Sequence, residues 1–114
     1  MTESELLSIL HDNADALAFS DVISVIDKGY VYTPTAFSNG VVNNDAGQNG
    51  GSCKVFSFAQ HHQLNANETV KLFAEHYRKV VASPDENDHA NIRAFLQSGW
   101  EGIRFSGAAL ATKH

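Results

Sequence analysis

The sequence predicts an α+β fold, about five helices packed on one small antiparallel sheet, and three observations carry that prediction. Val70, Phe73, Ala74, Tyr77, Val80 and Val81 recur at helical spacing and share one face. The aromatic and β-branched run Tyr30 to Phe37 is followed by Asn39-Gly40, which suits a type I′ hairpin turn into Val41-Val42-Asn43. Trp100, Ile103 and Phe105, punctuated by Gly102 and Gly107, suggest a short C-terminal strand that joins the hairpin.

Taken in order, Thr2 with Glu5 three residues on is a capping box, and Leu6, Ile9 and Leu10 follow at helical spacing, so a helix is expected over about 3–12. Ser20 is the next cap candidate. The apolar set Val22, Ile23, Val25 and Ile26 suits a helix or a buried strand, and Lys28-Gly29 decides for helix, because a cation and then glycine belong at a helix C-terminus. Pro34 confines the Tyr30–Phe37 strand to an edge or a bulge. Ser52 should cap a third helix that ends near Leu64, with Val55, Phe56 and Ala59 inward. Asn65 with Glu68 opens the most regular helix, stopped by Ser83-Pro84. Asp88 can cap a last one, with Ile92, Phe95 and Leu96 inward and Gly99 at its end.

With 114 residues, 43% of them hydrophobic and 18% charged, the chain is expected to be one globular domain over 1–114 that buries a core without disulfides. A net charge of −5 and a pI near 5.6 argue against a nucleic-acid or membrane-surface partner, since either needs a basic face. The single cysteine excludes an internal disulfide. The N-terminus has no Sec-type signal pattern, and no segment is long and apolar enough to span a bilayer. Neither cofactor nor metal is expected. The histidines are His11, His61, His62, His76, His89 and His114; no two are spaced i, i+4, and on a helix His61 and His62 point about 100° apart.

The stretch Asn43 to Ala59 is the candidate site, because a glycine-rich loop there runs into a helix start. Gly47, Gly50 and Gly51 are expected to take positive φ, and amides near Asn49, Gly50, Gly51 and Ser52, with Lys54 adjacent, to offer donors to a bound group. Cys53 would lie in the first helical turn, where dipole and free amides favour a thiolate, although cysteine is also commonly buried as a small apolar residue. Tyr30, Tyr32 and Phe37, on an edge strand, should leave some ring exposed for a protein partner.

The blocks T-P-T-A-F-x-N-G at 33–40, A-G-x-N-x-G-S-C-K-x-F at 46–56, D-H-x-N-I-R-x-F at 88–95 and G-W-x-G-I-x-F-x-G at 99–107 resemble the HopJ family of type III effectors. The likeness covers nearly everything from about residue 20 onward. It implies a small bacterial protein, resident in the cytoplasm and exported by a type III system, that meets a host or bacterial protein; it implies no biochemical activity, and oligomeric state is left open. A second, shorter likeness sets the alternative. Gln48 to Ser57 resembles the nucleophile segment of papain-like cysteine proteases, which would make Cys53 the nucleophile of a hydrolase or acyl transferase, His89 its base and Gln48 an oxyanion donor. Lys54 stands where that family has an aromatic residue.

Overall fold

Thr2 opens helix α1 (Glu3–Asn13) through its capping box: Thr2 Oγ1 accepts from the Glu5 amide at 3.1 Å, and the Glu5 carboxylate accepts from the Thr2 amide at 3.2 Å. The computed structural model describes residues 1–113, so His114 lies outside the described residues. Helix α2 (Phe19–Gly29) ends at Lys28-Gly29 as expected, but it starts before Ser20 and no side chain of its own caps it. Its Phe19 amide donates instead to Glu75 Oε1 at 2.7 Å, a cap supplied from 56 residues away. Val22, Val25 and Ile26 are buried in it, so packing of an apolar face outweighs the β preference of branched side chains.

The strands form two small antiparallel sheets where one was expected. Strand β1 (Tyr30–Tyr32) stops before Pro34, which has no N–H to donate to a ladder, and β2 (Phe37–Asn39) then enters a different sheet. β2 lies between β3 (Val42–Asn44) and β4 (Ile103–Phe105), with Phe37 opposite both Asn44 and Phe105. β1 pairs with β5 (Leu110–Thr112), Tyr30 opposite Thr112. The β2–β3 hairpin is present, but its loop is Gly40-Val41, and of these only Gly40 has positive φ (+60°). That is the II′ pattern, not I′, and it frees Asn39 to be a buried strand residue. A Cβ at Gly102 would lie 2.8 Å from the Gly40 nitrogen, whose N–H donates to Gly102 O at 2.9 Å, so β4 meets the turn only because residue 102 is glycine.

Helix α3 (Gly50–His61) begins at Asn49, which is left-handed with φ 51°, not at Ser52. Of the three glycines expected to be left-handed only Gly47 is, with φ +91°. Gly50 and Gly51 are helical and serve contact instead: a Cβ on Gly51 would meet the Phe19 ring at 3.2 Å, and one on Gly50 the Tyr32 hydroxyl at 3.5 Å. The regular helix expected from Asn65 onward is two helices, α4 (Ala66–Lys71) and α5 (Glu75–Ala82), broken at Ala74 with φ 54° and ψ −123°. The break puts Glu75 at a helix start, from which it reaches the Phe19 amide. Helix α6 (Ala90–Ser98) ends at Gly99 as expected, but His89 with φ 50°, not Asp88, occupies its N-cap. Trp100 stands in a 3₁₀ turn (Gly99–Gly102) ahead of β4, and its Nε1 donates to Leu64 O at 2.9 Å.

Phe56, fully buried on α3, is the centre of the core. The rings of Phe37, Phe73, Phe95 and Trp100 surround it at centroid distances of 5.0 to 6.3 Å, in tilted and edge-on arrangements that aromatic quadrupoles favour. Sheet, α4–α5 connection and α6 therefore meet on one side chain.

Candidate functional site

A cleft of about 350 Å³ opens where four helices begin. Phe19 comes from the start of α2, Asn49, Gly51 and Ser52 from α3, His76 from α5, and the stretch from His89 to Ile92 from α6. Each α-helix leaves its first amides without an intrahelical acceptor. For three helices a side chain supplies one: Thr2 for α1, Asn65 for α4, and Glu75 for α2. α3, α5 and α6 have no side-chain cap, and residues from the first turn of each line this cleft. Amides at 50–52 and 90–92 are thereby gathered in one place under two positive helix ends, whereas at the α5 start the His76 amide is taken by Phe73 O at 3.1 Å.

The backbone around the cleft is strained. Asn49 and His89, both left-handed, line it, and Ala74 sits between Phe73 and His76, which also do. Left-handed backbone costs a non-glycine residue about 1 kcal/mol or more, least for asparagine. The imidazoles of His76 and His89 face each other at 4.9 Å, and Phe19 stands edge-on to His76 at 4.8 Å. Asp88 does not oppose an electronegative occupant unaided, because Arg93 and Lys79 hold its carboxylate at 2.6 and 2.8 Å.

Those two cations, through hydrogen bonds and charge, lower the Asp88 carboxyl from the ordinary 3.8 to about 2. A carboxyl depressed in the folded state adds stability above its unfolded pKa and loses it as pH falls toward the folded one. The stability advantage of the wild type over Asp88→Asn should be full at about pH 5, fall steeply toward about pH 2 and vanish by about pH 1. Acid-dependent unfolding of both proteins checks this; an advantage unchanged across that window would refute it.

Cys53 does not reach the cleft. Its side chain is fully buried among apolar neighbours, and its thiol donates to Thr35 O at 3.6 Å. Its amide is taken by Asn49 O at 3.0 Å, so it lies past the free donors of the helix start. Burial pushes the thiol pKa up, and hydrogen bonds involving Tyr32, Thr35 and Ser57 only partly oppose it. His89 lines the cleft and Cys53 does not, which leaves the thiol–imidazole reading without an accessible nucleophile. Gln48 closes its own loop, its Oε1 accepting from the Asp45 amide at 3.1 Å.

Lys54 is also turned away from the cleft. It pairs with Asp27 on α2 at 2.8 Å and lies over the Tyr32 ring at 5.0 Å. Of the residues expected to form the contact region, Asn49, Gly51 and Ser52 line the cleft and Gly50 begins the same turn. The edge-strand aromatics are less open than expected: Tyr30 and Phe37 are buried and Tyr32 is half-buried, because β1 and β2 each lay one face on the core.

Two clusters had no sequence signal. Glu3 Oε1 accepts from the Tyr30 hydroxyl and lies against His62 Nε2, both at 2.5 Å, which ties α1 to β1 and to the end of α3. Burial there would raise the Glu3 carboxyl, but the hydrogen bonds of Tyr30 and His62 outweigh it and hold the pKa below the usual range. Burial and the Glu3 partner raise the Tyr30 phenol. The second cluster is a buried asparagine network. Asn39 Nδ2 donates to Asn91 O and Oδ1, Asn44 Nδ2 to Asn91 Oδ1, and Asn91 Nδ2 to Asn44 Oδ1, at 2.8 to 3.1 Å. Asn39 and Asn44 stand in N-G and N-N dipeptides, which read as turns until the pairing of strands is known, and nothing in the sequence marks Asn91 as their partner.

No helix among the described residues is long and apolar enough to cross a membrane. Residues 3–110 match the family described as HopJ type III effector protein. The chain is similar to a solved structure, the crystal structure of the unknown-function protein VPA0580, at 40% identity with a TM-score of 0.96, over 99% of this chain and 95% of that one. None of the curated proteins matches it.

Proposed function

The chain belongs to the HopJ type III effector protein family, and from that premise we propose that it is a protein-interaction module whose contact site is the cleft between the starts of α3 and α6. One observation carries the reading: the starts of α3 and α6, which lack a side-chain cap, both open onto this cleft with their first amides. Amides so placed take an acceptor from outside the chain, and a partner's carboxylate or backbone carbonyl is what a protein surface offers them. Strain at Asn49, Ala74 and His89 supports the same place, since unfavourable backbone is retained where the surroundings hold a site in shape. The partner is a bacterial protein or, after export by a type III system, a host protein. Neither nucleic acid nor membrane suits a surface of net charge −5.

Affinity capture with quantitative mass spectrometry tests the reading. Ser52→Trp would fill the cleft mouth, and Val31→Ser alters an exposed strand residue away from it. A partner recovered by the wild type and by Val31→Ser should fall by on the order of tenfold or more with Ser52→Trp at unchanged melting temperature. Equal recovery by all three proteins, or no enriched protein in bacterial and host lysates, overturns it.

A further inference from the structure

The cleft has two walls from distant parts of the chain, and one buried side chain touches both. Asn44, the last residue of β3, is 3% exposed. Its Oδ1 accepts from Asn49 Nδ2 at 2.6 Å, and Asn49 is the residue from which α3 starts. The same oxygen accepts from Asn91 Nδ2 at 3.0 Å, on the first turn of α6. Its Nδ2 donates back to Asn91 Oδ1 at 3.1 Å and to Phe37 O at 3.3 Å, which anchors the side chain to the neighbouring strand. Asn49 and Asn91 line the cleft, whereas Asn44 is not among its lining residues.

We propose that Asn44 is the positioning residue of the cleft, the clamp that fixes the spacing between the starts of α3 and α6. One carboxamide oxygen receiving a donor from each wall allows only a narrow range of separations, because each bond weakens steeply as it lengthens or bends. The Phe37 and Asn91 bonds stop the side chain from following either wall outward. The exposed Asn49 holds its left-handed backbone partly through this bond, so the clamp also sets where the amides of Gly50, Gly51 and Ser52 point. This rests on the cleft being the contact site, but the clamp is measurable without any partner.

Amide hydrogen exchange on the whole chain is the test, with Asn49→Gly as the first variant. Glycine keeps the left-handed backbone and removes only the donor. Exchange at the Cys53 and Arg93 amides, the first of α3 and α6 to be bonded, to Asn49 O and His89 O, should rise on the order of tenfold, while amides of Val55–Ala59 and β4 keep their protection. A role in general stability alone would instead raise exchange throughout and lower the melting temperature. Asn44→Ala should give the same local pattern, and the double variant no more than Asn44→Ala alone, because both act on one bond. Unchanged exchange on the α6 wall in Asn49→Gly, or additive effects in the double variant, overturns the clamp. Partner capture by Asn49→Gly is a separate reading: local loosening with full recovery upholds the clamp and counts against the cleft as the contact site.

Discussion

Phe56→Ala will lower the free energy of unfolding by about 3–5 kcal/mol, the range for deleting a buried aromatic ring where the surroundings cannot collapse. Four aromatic rings stand against Phe56, from β2, the α4–α5 connection, α6 and the 3₁₀ turn that precedes β4. Each is fixed by its own element. Phe37 is held in the ladder opposite Asn44 and Phe105, Phe73 is next to the strained Ala74, and the Trp100 indole is bonded to Leu64 O. A cavity at position 56 therefore stays open, and the melting temperature should drop by about 15 °C for a chain of this size. Calorimetry checks it. A loss under about 1.5 kcal/mol would mean that the rings move in to fill the space and that the four elements are not rigidly placed.

Asn91→Ala will cost about 3 kcal/mol, more than its small volume suggests, because three side-chain hydrogen bonds disappear from a buried site. Asn91 is 5% exposed, Asn39 fully buried and Asn44 3% exposed. The variant takes from Asn39 and Asn44 the Oδ1 to which both donate, and from Asn44 Oδ1 one of its two donors. Asn39 keeps its bond to the Asn91 carbonyl and Asn44 its bond to Phe37 O, which keeps the loss near 3 kcal/mol. Chemical denaturation of Asn91→Ala, Asn44→Ala and the double variant measures it, with a coupling of about 1 kcal/mol or more expected between two residues joined by two bonds. Additive effects would show that the pair contributes as separate polar residues. The two substitutions strike different parts of one arrangement: Phe56 holds the elements together by burial, and Asn91 sets α6 against the hairpin in one register.

How far the fold could be read from the chain depended on the range of the forces involved. The capping boxes Thr2–Glu5 and Asn65–Glu68 formed where the sequence places them, because all their atoms lie within four residues. Gly99 ended α6 for the same reason. The periodic stripe in 70–81 correctly marks Val70, Phe73, Ala74 and Val80 as core. It does not show the break at Ala74, which accompanies a contact between Glu75 and Phe19 that lies 56 residues back. Likewise Asn39-Gly40 announced a hairpin, but the turn type and the burial of Asn39 follow from β4 and α6 packing beside it.

The candidate site divides in the same way. That the segment around Asn49, Gly51 and Ser52 is a loop leading into a helix, with donors at its start, follows from local chemistry and was legible. The fate of Cys53 and Lys54 was not, because a helix start tells nothing of which side faces outward. Tertiary packing turned the thiol into the core beneath Thr35 and sent the ammonium to Asp27.

By itself the sequence determined the class of fold, the family and most of the helices, since these rest on periodicity, caps and motifs a few residues long. The meeting of the α3 and α6 starts in one cleft, and the single asparagine that bridges them, were decided only by the tertiary structure. Hydrogen bonds between residues some fifty positions apart exist only once hydrophobic burial has brought their elements together, and no local pattern records them.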